Sequence, residues 1–445
     1  MSPTLLYWSA WALLGLLCIP VFFGKSLRLF RGFSSWMDAK PGRPMFVRFM
    51  LLMVLVRLLM IGLTYIFLYV DHPEGFDFIT HFSGFDLPGQ DRVYGYGDIP
   101  HFLHIAEFGY TNVGDEYDKL LVFFPLFPLT IRAMGHLLTG FLRMPDFRDY
   151  MLAGIVVSNL CTVAACGFLY KLINIDHTRR VAWDTVLLLL LYPVAFFTSS
   201  AYTEGLFIML CVITMYYARR GKWLVCGITG LLAALTRAQG IICFAFAGYE
   251  FILQTWQANR MTYAKDKTKN AFLRLFGNPK KYLPGLVLGL IPVGFGIYLC
   301  LNKYYFGDFF KFVEFQRDAP WYNGWAPFYN NMALNLDMAA NHPGLAHVMY
   351  WPQMFMFAAG LGLLVYGYFK KVRTSYLLFM VLYIYNCYSL GWLLSGTRYM
   401  LGCVPMFLPL ALLTQNKTWR VVIYSAMGLL SLYFFWSWVA HQAIM

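Results

Sequence analysis

Long apolar runs separated by short polar connections dominate this chain. Two of them, MLAGIVVSNLCTVAACGFLY from Met151 and PGLVLGLIPVGFGIYLCL from Pro284, reach the roughly 20 residues that cross a hydrocarbon core about 30 Å thick. The pattern predicts apolar helices at 4–23, 46–70, 151–172, 183–200, 203–218, 223–236, 240–254, 283–301, 346–369, 375–393, 399–414 and 421–440. The implied fold is all-α, a polytopic helical membrane protein with about eleven crossings, between nine and thirteen. Arg57 falls near the middle of the second helix and must face the bundle or snorkel. The segment 120–139 is apolar but carries Pro125 and Pro128. If it spanned, the basic DHTRR at 176–180 would land on the wrong side, so it is expected to be interfacial or re-entrant.

Composition narrows the class. The 445 residues are 59% hydrophobic and only 13% charged, against about 25% charged in a soluble globular protein. No polar stretch is long enough for a soluble domain, so 1–445 is expected to be one integral membrane domain.

The net charge of +13 raises nucleic acid as a partner, but its distribution argues otherwise. The loops 24–48, 171–180, 219–222, 255–282, 370–373 and 417–420 hold 24 of the 35 Lys and Arg. The loop 71–150 holds 12 of the 22 acids, and 302–345 holds four more. This alternation is the positive-inside bias. It assigns the basic loops to the cytoplasm, beside anionic lipid headgroups, and 71–150 and 302–345 to the exterior. All nine Cys lie in apolar segments without CxxC spacing, so no disulfide framework or metal motif is expected. In 4–23 the positive charge follows the apolar run and no small-residue cleavage site is evident, so this reads as a retained helix with its N-terminus outside.

Polar residues that interrupt the apolar pattern gather at exterior helix ends: Asp98, Glu204, Arg237, Asp308 and Arg398. A charge within the bilayer costs about 2.5–3.5 kcal/mol at a helix centre even on the lower scales. Such residues need mutual pairing or a polar ligand. Asp98 opens GDIPHFLHIAEFGY, which has the form of a capped helix: Asp at the N-cap, Pro100 in the first turn, Gly109 as the stop. That helix puts Asp98 and His101 on one face. Capping and catalysis are compatible roles for Asp98, and both stay open. Glu204 suits a helix N-terminus, and Asp308 follows Gly307 as a turn residue. Arg237 and Arg398 have no local acid in sequence; each fits headgroup snorkelling or a phosphate clamp. Gln316 and Trp321 are uninformative by themselves.

At these residues the sequence resembles a known family. D-x-x-H-F from Asp98, then I-A-E-x-G-Y, then FFPLFP, is similar to the PIG-V family of membrane mannosyltransferases. YPVAFFTSSAYTEGLF, LLAALTRAQG, FGDFFKFVEFQ and SGTRYMLGCVPMF follow in the same order, so the resemblance covers roughly 90–440. Gly97 stands where the family usually has Trp, and 1–45 has no clear counterpart.

The resemblance implies a GT-C glycosyltransferase in which an acid of the first exterior loop, here Asp98, is the general base. It implies a polyprenyl-phosphate sugar donor and a lipid or glycan acceptor. His101 would orient Asp98 or bind acceptor; Arg237 and Arg398 would face the leaving phosphate; Glu204, Asp308, Gln316 and Tyr399 complete the expected substrate contacts. Mannose is the implied sugar, and a bacterial relative at a plasma membrane, or a eukaryotic one at the endoplasmic reticulum, the implied setting. No DxD or nucleotide-binding Gly-rich loop is present, no cofactor is required, and a divalent ion has no recognisable ligand set. The competing class is a transporter or flippase of a lipid-linked saccharide, with intramembrane charges lining a path. A lipid-linked ligase or polymerase shares the chemistry.

Overall fold

Within the described residues, every predicted apolar run contains helix, but several runs are broken by a polar or proline-bearing turn. The computed structural model describes residues 44–71, 97–263, 282–393 and 395–440. The expected helix at 4–23 lies outside the described residues, as do 72–96 of the first exterior loop and 264–281 of the long basic loop.

The first half of the chain comprises α1 (Pro44–Asp71), short α2 (Ile99–Phe108), α3 (Leu126–Leu138), α4 (Phe147–Ile173), α5 (Arg179–Leu190), α6 (Glu204–Arg219), α7 (Trp223–Thr236) and α8 (Ile242–Tyr263). The second half comprises α9 (Leu290–Phe306), α10 (Lys311–Arg317), α11 (Phe328–Asn341), α12 (Trp351–Phe369), α13 (Thr374–Tyr388), α14 (Gly396–Leu401), α15 (Phe407–Leu413) and α16 (Lys417–Val439). Extended pairing among the described residues is confined to one isolated bridge, Trp325 with Leu390. The fold is all-α.

Five helical stretches are long and apolar enough to cross a membrane: Val47–Val70, Phe147–Ile173, Leu283–Phe306, Pro343–Phe369 and Lys417–Val439. This is fewer full-length spans than the about eleven crossings expected from the pattern. The difference has local causes. The run 183–200 leaves α-helix at Leu191, two residues before Pro193, and the run 399–414 divides into α14 and α15 around Gly402–Pro405. The segment 120–139 is also bent: Glu116–Val122 and α3 meet at 107°, as a broken span or a re-entrant loop does.

The bundle is centred on α4 and α6, which pack closely along their lengths. Small residues permit this: a Cβ built on Gly205 would sit 2.5 Å from the Ser158 carbonyl oxygen and 2.9 Å from Thr162 Oγ1. Arg57 faces the bundle. Its Nε donates to Asn159 Oδ1 at 2.7 Å on α4, and its Nη2 to Thr198 Oγ1 at 3.2 Å. That pairing fixes α1 against α4 and satisfies a charge that apolar surroundings penalise.

Candidate functional site

The site begins at the head of α2. Pro100 stands in its first turn and Gly109 ends it, as the sequence pattern predicts. Asp98 occupies the N-cap position, but its φ of −75° and ψ of −10° are helical and its side chain makes no cap bond. The carboxylate turns instead toward α14, where Arg398 Nη1 donates to Asp98 Oδ2 at 2.7 Å.

From Arg398 the charges continue as a chain. Arg398 Nε donates to Glu204 Oε1 at 2.6 Å, and Arg237 Nη1 donates to the same oxygen at 2.8 Å. Two carboxylates and two guanidiniums therefore alternate: Asp98, Arg398, Glu204, Arg237. The chain neutralises its own charge, which makes burial of its inner members tolerable. Glu204 is 1% exposed, Arg398 7% and Arg237 11%, whereas Asp98 at the outer end is 32% exposed. The two arginines, without local acids in sequence, thus take their acids from distant helices. Glu204 Oε2 is buried and accepts no hydrogen bond among the described residues.

Aromatic faces complete the enclosure. The Arg398 guanidinium lies 4.3 Å from the Tyr202 ring centroid and 5.0 Å from that of Phe197. Arg237 lies 5.2 Å from Tyr399 and 5.7 Å from Phe207. These are cation–π distances, worth more when water is excluded. Trp438 of α16 packs on both Tyr202 and Phe197. Tyr202, Phe197, Phe207 and Trp438 were not distinguishable in sequence from the general aromatic content. The one signal was that Tyr202, Phe197 and Phe207 fall inside the stretch YPVAFFTSSAYTEGLF that also contains Glu204.

Gly97 is explained by the same packing. Its φ is +69°, a left-handed conformation, and a Cβ there would collide with the Tyr202 hydroxyl. Tyr202 fills the place of a side chain at 97.

His101 follows one turn into α2, stacked on Phe123 with ring centroids 5.3 Å apart. Burial pushes its imidazole below the ordinary value of 6.5, partly opposed by the charges of Asp98 and Glu116. His104, stacked on Tyr117 at 4.0 Å, is lowered by burial in the same way. Both border an open cavity of about 810 Å³ that Glu107, Glu116, Lys119 and Trp321 also line.

The second exterior loop packs against this region but does not deliver every expected residue. Tyr298 of the preceding α9 donates to the Leu121 carbonyl at 2.8 Å; from the loop, the Ala319 carbonyl accepts from Lys119 at 2.5 Å and Trp321 meets Phe123 edge-on at 6.0 Å. Asp308 departs from the expected convergence of five charges. It is exposed and accepts from its own Phe310 N–H at 3.0 Å, closing a local turn. Gln316 is half-buried, its carbonyl accepting from Asn323 N–H at 2.6 Å, and neither residue bonds to the four-charge chain. Tyr399 reaches it through its ring. Among the described residues, no group of three or more His, Cys, Asp or Glu is placed to hold a metal ion.

A family model described as Mannosyltransferase (PIG-V) matches residues 93–324, just over half of the chain. Asp98, Glu204 and Arg237 lie within the matched segment; Arg398 lies beyond it. A GPI mannosyltransferase 2 of Cryptococcus neoformans is 30% identical over 161 residues, covering 34% of this chain and 36% of that one. A protein of the same name from Drosophila melanogaster is 22% identical over 215 residues, covering 47% and 42%. The aligned region thus spans well under half the length of these curated relatives, both eukaryotic. Among solved structures, the apo Archaeoglobus fulgidus oligosaccharyltransferase aligns with 86% of this chain and 55% of its own at 12% identity, TM-score 0.41.

Proposed function

The chain belongs to the mannosyltransferase (PIG-V) family, and on that premise we propose that it moves a hexose, mannose first, from a polyprenyl-phosphate donor to a hydroxyl of a lipid or glycan acceptor. The reaction runs at the membrane face that carries Asp98, in a scaffold of GT-C type. That face is non-cytoplasmic by the charge distribution of the loops. Acceptor and membrane follow the source: a cell-envelope lipid or glycan at a bacterial plasma membrane, or a lipid-linked glycan at the endoplasmic reticulum.

Asp98 is the general base. The acceptor hydroxyl gives its proton to Asp98 Oδ1, the oxygen that Arg398 does not take, while the hydroxyl oxygen attacks the anomeric carbon. The bond from that carbon to the phosphate oxygen breaks, and the polyprenyl phosphate departs with the electron pair. A single displacement of this kind inverts the anomeric configuration, through a transition state with oxocarbenium character.

The observation that carries the reading is the direction of the Asp98 carboxylate. An acid placed only to cap α2 would accept from the amides of its first turn; this one turns to a buried arginine and keeps a third of its surface open. Arg398, bonded to Oδ2 at 2.7 Å, fixes the orientation of the Asp98 carboxylate. A guanidinium has five donors, and the contacts above engage two on Arg398, so it can also meet the leaving phosphate. His101, kept neutral by burial, can pass a hydrogen bond to the acceptor without adding charge near the base.

The test is sugar transfer from radiolabelled polyprenyl-phosphate mannose by membranes carrying the native chain or Asp98→Asn. Loss of transfer in the variant supports the assignment. Equal transfer by both sinks the base, and lipid export without transfer by either moves the chain to the transporter class.

A further inference from the structure

At the end of the bundle away from Asp98, three of the basic loops converge. Arg219 pairs with Asp176 through two bonds of 2.5 and 2.9 Å, and its Nε lies 3.6 Å from Glu250. Arg373 donates to both oxygens of Glu250, at 2.6 and 2.8 Å, and Ser375 adds a bond of 2.6 Å. Glu250 is fully buried. Two cations and two carboxylates balance here, and the network ties α6, α8 and the turn from α12 to α13 together.

Beside this balanced network is a cavity of about 510 Å³ between α8 and that turn. Tyr249 and Leu253 form one wall; Tyr368, Lys371 and Thr374 form the other. Lys371 is exposed, with its backbone at φ +57°, and has no carboxylate partner among the described residues. Its charge is the excess over the balanced network. The cavity also sits beside the end of a helix long and apolar enough to cross a membrane. It opens at the end of the apolar stretch Pro343–Phe369, where Tyr368 and Phe369 are 70% and 73% exposed, as aromatic residues are at a membrane interface.

We propose that this cavity binds the phosphate headgroup of an anionic phospholipid. Lys371 supplies the charge, the Thr374 hydroxyl and the Tyr249 and Tyr368 rings bracket the headgroup, and the acyl chains descend past Leu253 and Leu377. An occupant would bridge α8 to the α12–α13 turn, across the contact that Arg373 and Glu250 make inside the bundle.

The experiment places the full-length chain in nanodiscs of phosphatidylcholine, with or without phosphatidylglycerol, and follows the thermal midpoint and the lipids retained in native mass spectrometry. The native chain and Lys222→Ala, which removes an exposed cation from another basic loop, should both gain several degrees with phosphatidylglycerol and retain the anionic lipid. Lys371→Ala and Lys371→Gln should lose most of both effects. Equal losses in Lys222→Ala and the Lys371 variants would reduce the effect to general surface attraction and overturn the site, as would no response to phosphatidylglycerol at all. If inorganic phosphate alone reproduces the gain in phosphatidylcholine discs, the lipid assignment is wrong and the cavity takes a free anion.

Discussion

The Tyr202 hydroxyl occupies the space into which a Cβ at Gly97 would project. The residue before the candidate base is therefore specified by a tyrosine more than a hundred positions later. Gly97→Ala should combine backbone strain of about 1–2 kcal/mol with displacement of Tyr202, and so lower both the thermal midpoint and transfer. Adding Tyr202→Phe removes the colliding oxygen but leaves the φ strain. The double variant should recover part of the loss, read as a non-additive double-mutant cycle. Simple additivity would show that the two residues do not compete for space.

Glu204 serves two arginines, Asp98 only one. Glu204→Gln leaves Arg237 and Arg398 short of a buried counter-charge and should cost roughly 3–5 kcal/mol of stability. Asp98→Asn removes a third-exposed charge whose amide oxygen still accepts from Arg398, so its stability cost should be much smaller. Thermal unfolding in detergent checks the order. Transfer assays should show a fall of about 10²–10⁴-fold for Asp98→Asn despite its intact fold.

Arg57, a half-buried cation of α1, donates to both Asn159 and Thr198. Arg57→Met keeps the stem volume but strips Asn159 Oδ1 of its donor, with an expected cost of about 1–3 kcal/mol. The loss should be read by unfolding rather than by the turnover of the surviving folded fraction. An unchanged midpoint would mean that α1 is held by apolar packing alone.

His101 and His104 give the protein an acid-side sensitivity. Both are pushed below the ordinary imidazole value of 6.5 in the folded chain, chiefly by burial. Below that value the unfolded chain binds the protons more readily, so this contribution to stability is complete above pH 6.5 and is lost as pH falls toward the depressed folded values. His101→Phe should flatten the decline of the thermal midpoint on the acid side of that value. An identical decline in the variant would assign the sensitivity to other groups.

What could be read in advance was one-dimensional. Apolar length located the helices, and Pro100 and Gly109 correctly bracketed α2 because capping depends only on near neighbours. The partners of Arg237 and Arg398 could not be read, since Glu204 and Asp98 reach them only when α6, α7, α14 and the head of α2 pack together. Asp308 was ambiguous for the converse reason: FGD looks the same whether its acid faces a substrate or closes its own turn, and the structure has it closing the turn. Runs such as 183–200 and 399–414 overstated helix length because apolarity persists through turns that end the hydrogen-bond ladder.

The bond between Asp98 and Arg398 joins positions 300 residues apart. A ribosome making this chain delivers the carboxylate early and its guanidinium only after nearly everything else has entered the membrane. Until α14 docks, Asp98 lacks the arginine that orients it and supplies its counter-charge, so on the proposed mechanism a half-built chain would be inactive. On that mechanism activity would report completed assembly, because a fragment ending at 324 lacks the arginine bonded to Asp98.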